Sequence, residues 1–125
     1  MRGQLEIFAS GKLLTPDKIA VALALGADFV NIARGMMFSV GCIRALVCHT
    51  NTCPAGVATT DPNLQKALRK NSILSAITSL REGLFNLAAA AGINSPVRFS
   101  KEHVGYRKED DSIVNIDKLI HQFVS

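Results

Sequence analysis

Residues 4–46 read as strand, helix, strand, helix, joined by short links, and that order points to a parallel α/β unit. "QLEIFAS", 4–10, is a short apolar run suited to a buried strand. "TPDKIAVALALGA" then carries helix punctuation: Thr15 at the N-cap, Pro16 at the first helical position, Asp17 near the positive end of the dipole and Gly26 as the stop. "DFVNIA", 28–33, is a second strand. "RGMMFSVGCIRAL", 34–46, follows at once with helical spacing of its apolar residues. The first helix is apolar on most faces, as a crossover packed against a sheet requires.

Two parallel strands cannot make a sheet that covers itself. A closed barrel of alternating strands and helices takes about 250 residues. The expectation is therefore an α/β chain that forms the C-terminal fragment of a (β/α)8 barrel, with 4–10 and 28–33 as its last two parallel strands. The missing strands would come from a longer protein or from a partner. After residue 46 periodicity stops, and 47–61 reads as a structured loop. Asp61 and Pro62 open a helix over 62–70, a longer one spans 72–91 and stops at Gly92, and an amphipathic one covers 115–124. "YRKEDD", 106–111, reads as a solvated turn. The division is 1–62, the barrel end with its cysteine loop, and 63–125, a mostly helical extension.

Composition narrows the function. The 125 residues carry 14 Lys plus Arg against 10 Asp plus Glu, a net charge of +4, with no Trp and Tyr106 as the single Tyr. The charges are scattered, so neither the basic face nor the stacking platform of a nucleic-acid binder is present. No apolar run reaches the roughly 20 residues of a membrane span. "MRGQLEIFAS" does not read as a signal sequence, and three cysteines is an odd count for a secreted disulfide scaffold. A reducing cytoplasm is the expected location. There, clustered thiols point to metal or redox chemistry.

Two features carry chemistry. "ASGKL" follows the first strand and "ARGMM" the second, and each places a Gly and a cation at a strand's C-terminal end. Barrels commonly bind phosphate at such turns, where glycine lets backbone N–H groups and a helix N-terminus approach the anion. Ser10, Gly11 and Lys12 belong to one turn, Arg34 and Gly35 to the other. The alternative is a pair of ordinary turns with surface cations. The second feature is Cys42, Cys48 and Cys53, every cysteine of the chain within twelve residues. Their spacing is neither that of a zinc ribbon nor that of the common bacterial ferredoxins. Zinc on three Cys plus His49 would need adjacent ligands. Buried free thiols suit Cys42, but Cys48 and Cys53 sit in a polar loop. An iron–sulfur cluster explains more, with a helix-borne Cys42, two loop thiols, and Thr50, Asn51 and Thr52 as donors to sulfur, though spacing alone leaves free thiols open beside it.

"GCIRALVCHTNTCPAGVATTDP", preceded by "ALALGADFVNIARGMMFSV", resembles the FMN-binding region of glutamate synthase. The match is best over residues 5–62 and looser beyond. The "IARGMMFSVGCIRAL" form is more like the stand-alone FMN-binding glutamate synthase-like proteins than the large multidomain enzyme. The resemblance implies a (β/α)8 barrel with FMN phosphate at the two turns and a [3Fe–4S] cluster on Cys42, Cys48 and Cys53. In the complete enzyme it implies electrons passing from ferredoxin or an NAD(P)H-linked subunit through the cluster to FMN. Hydride then reduces 2-iminoglutarate, made from 2-oxoglutarate and ammonia released from L-glutamine, to L-glutamate.

The chain departs from the complete family pattern. It has no N-terminal Cys nucleophile for glutamine hydrolysis, and the first six barrel strands are missing. The isolated chain is expected to be inactive, needing the remainder of the barrel. The competing reading is an interaction subunit without cofactor; a 2-hydroxy-acid oxidase barrel would not need the thiols. His49 is read as a hydrogen-bonding neighbour of the cluster, His103 and His121 as surface residues, and Met36, Met37 and Phe38 as core.

Overall fold

The computed structural model describes residues 5–69 and 71–124. The chain divides into two compact units, one made of residues up to Asn31 together with those from Glu82 onward, the other running from Ile32 to Arg81.

In the first unit, β1 (Phe8–Ser10) and β2 (Phe29–Asn31) pair in parallel, Phe8 opposite Phe29 and Ser10 opposite Asn31. The strands expected over 4–10 and 28–33 are shorter, and Gln4 lies outside the described residues. Ile7 is not part of the ladder; its N–H donates to the Asp28 carboxylate at 2.8 Å and its carbonyl accepts from Asp28 and Phe29, which fastens the strand entries instead. The Phe8 and Phe29 rings stack with centroids 4.7 Å apart, on a face that leaves Phe8 67% exposed.

Between the strands runs α1 (Pro16–Ala24). Thr15 stands at its N-cap with extended backbone, as the sequence predicts, but its hydroxyl does not cap; it bonds the Asp17 carboxylate and helps hold that group below its ordinary value. Ile19, Ala20 and Ala24 are buried on α1, and Ala88 is buried on the long helix over Ser72–Ala90. Small residues dominate this core because the helices approach closely. A Cβ at Gly83 would lie 2.5 Å from the Pro16 ring.

The second unit opens with α2 (Ala33–Ser39). Helix was expected through residue 46, but it stops seven residues earlier. Gly41 takes φ 102°, its N–H bonds Phe38 O at 3.0 Å, and the Cys42 N–H bonds Met37 O at 3.1 Å. That pair of bonds is a Schellman stop, which satisfies carbonyls that the helix end would otherwise orphan. Cys42 is therefore not helix-borne. Met36 and Phe38 are half-buried and Met37 is exposed, so the expected core role is only partial. Asp61 caps α3 (Pro62–Gln65) by accepting from the Asn63 N–H at 2.8 Å. The helix expected to Lys70 ends at Gln65 and loosens into turns; Lys70 itself lies outside the described residues.

α4 (Ser72–Ala90) begins in the second unit and ends in the first. Gly92 closes it with the same two-bond stop, Gly92 N–H to Ala89 O and Ile93 N–H to Ala88 O. The tail is not only helical. After 3-10 turns at Pro96–Arg98 and Lys101–His103, a hairpin forms from β3 (Gly105–Arg107) and β4 (Ile113–Asn115), with Tyr106 opposite Val114. "YRKEDD" makes much of this hairpin's first strand and turn. α5 (Ile116–Val124) follows directly. Asn115 donates to Glu102 O at 3.1 Å and Lys101 pairs with Asp117 at 3.3 Å, tying this end to the preceding 3-10 turn. His103 lies on the surface as expected, but its Nδ1 accepts the Ser100 N–H at 3.0 Å and so closes that turn. Among the described residues, no helix is long and apolar enough to cross a membrane.

Candidate functional site

The first candidate turn leaves the C-terminal end of β1. Ser10, Gly11 and Lys12 are exposed, and both Gly11 (φ 115°) and Lys12 (φ 54°) take left-handed backbone. Glycine is required at 11, since that φ strains any residue with a Cβ. Nothing stands within 4 Å of a Cβ placed there, so the turn's face is open. It offers a hydroxyl, backbone N–H groups and an ammonium to an approaching anion. Parallel pairing brings the end of β2 beside the end of β1 within the first unit.

Arg34 and Gly35 stand two residues beyond Asn31, within the first turn of α2 and not in a separate loop. Arg34 is exposed and Gly35 half-buried. They belong to the second unit, and the Ser10–Lys12 turn to the first.

The cysteine loop lies wholly in the second unit. Cys42 is half-buried, Cys48 exposed and Cys53 buried, all three as free thiols. Cys53 is the most built of them. The backbone N–H of Ala58, then those of Ala55, Val57 and Gly56, face its sulfur and hold the thiol below its ordinary value of 9.0, against an opposing effect of burial. N–H groups aimed at sulfur stabilise thiolate, the form that binds metal. The sequence placed this role on Thr50, Asn51 and Thr52; the N–H groups come instead from the "AGVA" stretch after Pro54. A cysteine followed by Pro-x-Gly was the available signal, because the glycine lets the backbone curl back.

The Thr and Asn side chains hold the loop to itself. Thr50 Oγ1 donates to Val47 O at 2.8 Å and lies 2.6 Å from Thr52 Oγ1. Asn51 (φ 61°) accepts from three groups of the next segment: the Thr59 hydroxyl at its carbonyl (2.7 Å), and the Thr60 N–H (2.7 Å) and hydroxyl (3.1 Å) at Oδ1. Gly56 presses on α3, where a Cβ would meet Leu64 O at 2.6 Å. His49 is exposed.

Three thiols within one loop, one of them in a nest of N–H donors, match the donor chemistry of an iron–sulfur centre. Among the described residues, no three His, Cys, Asp or Glu side chains converge as a metal site. Thiolate sites of this kind often close only on the metal, since binding and local folding are coupled.

A model of the conserved region in glutamate synthase matches residues 1–94 of the chain. The glutamate synthase large subunit-like protein YerD of Bacillus subtilis is 81% identical over 129 aligned positions that take in all of this chain and 25% of that protein. Ferredoxin-dependent glutamate synthase 2 of Synechocystis is 31% identical over 121 residues, 95% of this chain and 7% of its own length. The archaeal glutamate synthase [NADPH] of Methanocaldococcus jannaschii is 34% identical over 99 residues, 76% of this chain and 19% of its own length. The chain thus spans a quarter or less of each of these relatives.

Proposed function

Because the chain belongs to the glutamate synthase family and is similar to part of a glutamate synthase-like oxidoreductase, we propose that it supplies that enzyme's FMN-phosphate turns and its iron–sulfur ligands. In this reading the chain completes a (β/α)8 barrel with strands contributed by the rest of a longer protein, and 1–62 and 63–125 serve as barrel end and extension. The exposed, stacked Phe8 and Phe29 support it, since a two-stranded sheet gains stability only when such a face is covered.

Bound FMN supplies hydride transfer and a bound [3Fe–4S] cluster supplies single-electron transfer. The chain's own residues hold them. Ser10, Gly11 and Lys12 would hold the flavin phosphate through a hydroxyl, backbone N–H groups and an ammonium, and Arg34 and Gly35 are the further residues assigned to it. Cys42, Cys48 and Cys53 would hold the cluster as thiolates. The complete protein would reduce 2-iminoglutarate, from 2-oxoglutarate and glutamine-derived ammonia, to L-glutamate. Relatives named for ferredoxin, NADPH and NADH support a donor drawn from those carriers.

The observation that carries this proposal is three free thiols in one loop, with Cys53 buried where Asn51 ties the loop to Thr59 and Thr60. Anaerobic reconstitution of the full chain with iron and sulfide tests it. The expected product binds three irons per chain with a thiolate-to-iron absorption band, and Cys48→Ser or Cys53→Ser removes the band. Iron uptake that is absent, or unchanged in both variants, overturns it.

A further inference from the structure

The residue that sets the shape of the cysteine loop is not a cysteine. Asn51 sits midway between Cys48 and Cys53 with φ 61°, a conformation that Asn adopts far more readily than most residues with a Cβ. Its two oxygens accept three hydrogen bonds, all from Thr59 and Thr60, eight and nine residues on. The Thr60 backbone N–H can only donate, so the side-chain atom facing it is the amide oxygen. The bonded segment is itself fastened to α3. Thr59 Oγ1 accepts the Asp61 N–H at 3.1 Å, Thr59 O accepts from the Gln65 amide at 2.9 Å, and Asp61 caps the helix. Between the two halves of this clasp lies the stretch 53–58, which contains Cys53 and every N–H that faces its sulfur.

We infer that Asn51 is the positioning residue of the cysteine loop: by clasping Thr59 and Thr60 it closes the chain around Cys53 and fixes the span from Cys48 to Cys53. The role rests on the ligand reading only where iron is concerned; the clasp is a property of the chain without it. The two components separate by substitution. Asn51→Gly keeps the left-handed backbone and loses the side-chain acceptor. Asn51→Asp keeps both. Asn51→Ala loses both. Thr59→Val removes one donor from the opposite side.

The test is alkylation of the metal-free full chain by iodoacetamide, with each cysteine followed by peptide mass spectrometry. Cys53 is buried, so its labelling reports loop opening, while exposed Cys48 serves as the internal reference. Cys53 labelling is expected to accelerate about tenfold or more in Asn51→Ala and Asn51→Gly, less in Thr59→Val, and little in Asn51→Asp. The iron arm repeats the reconstitution. Asn51→Asp should keep the wild-type absorption band, and Asn51→Gly should lose or shift it. If Cys53 in Asn51→Gly labels at the wild-type rate, the clasp is overturned. If Asn51→Ala does not fold, Asn51→Gly and Thr59→Val still decide. If the wild-type chain takes up no iron, the ligand reading fails and the labelling arm stands independently.

Discussion

Among the described residues, five other than glycine hold left-handed backbone: Lys12, Arg44, Leu46, Asn51 and Asp111. Three stand between Cys42 and Cys53, and two of these, Arg44 and Leu46, have side chains ill suited to that region. Leu46 is also 77% exposed, so local packing does not compensate the strain. Asp111 has a clearer cause. It lies in the β3–β4 turn, where Asp110 Oδ1 accepts from the Ser112 N–H at 3.0 Å and from its hydroxyl at 2.5 Å. The Ser112 bonds, hydroxyl first, hold the Asp110 carboxyl below its ordinary value of 3.8. The ionised form is therefore favoured by the folded turn. Its stabilising effect is complete above 3.8 and is lost as pH falls through the lower folded value. In an NMR titration the Asp110 carboxyl should show its midpoint below 3.8, and the Ser112 amide should follow the same curve. A midpoint at or above the ordinary value contradicts the turn as described.

At the scale of elements, α1 and α4 meet where Gly83 faces Pro16. Helix propensity alone favours alanine over glycine at 83 by about 1 kcal/mol. Contact reverses the sign. The 2.5 Å approach is to a proline ring, which cannot rotate away as a flexible side-chain tip would. Gly83→Ala should therefore lower stability by about 1–3 kcal/mol in urea unfolding. Combined with Pro16→Ala it should recover most of that loss, a coupling that a double-mutant cycle reads directly. A Gly83→Ala chain as stable as the parent would rule out the close approach.

Much at this scale was legible in the sequence, and the failures share a physical origin. Pro16, Gly26, Asp61, Pro62 and Gly92 marked helix ends correctly because each acts through its own backbone or nearest neighbours. Gly41 is the same signal and was overridden, since Ile43 and Leu46 continue a helical apolar spacing that the fold does not use; they are 68% and 77% exposed. The β3–β4 hairpin was hidden because its strands are three residues each and its turn has no Asn-Gly or Asp-Gly pair. The thiols were visible as a set by spacing alone. The N–H groups around Cys53 were not, because a sequence shows side chains and these donors are backbone.

For the whole molecule, the feature with the widest consequence is the placement of Tyr106 on β3, in a chain without tryptophan. Intrinsic fluorescence of the metal-free protein then arises almost entirely from one ring, and that ring lies in the first unit. Far-UV circular dichroism reads the helices of both units, among which α4, with 19 residues, is the longest and runs through both. Fluorescence thus reads one place in the first unit and circular dichroism the helices of both, without any label. Because α4 crosses the division as one uninterrupted helix, the two denaturation curves should share a single midpoint. Separate midpoints would mean that the helix breaks before the units do, and that the chain unfolds in two steps.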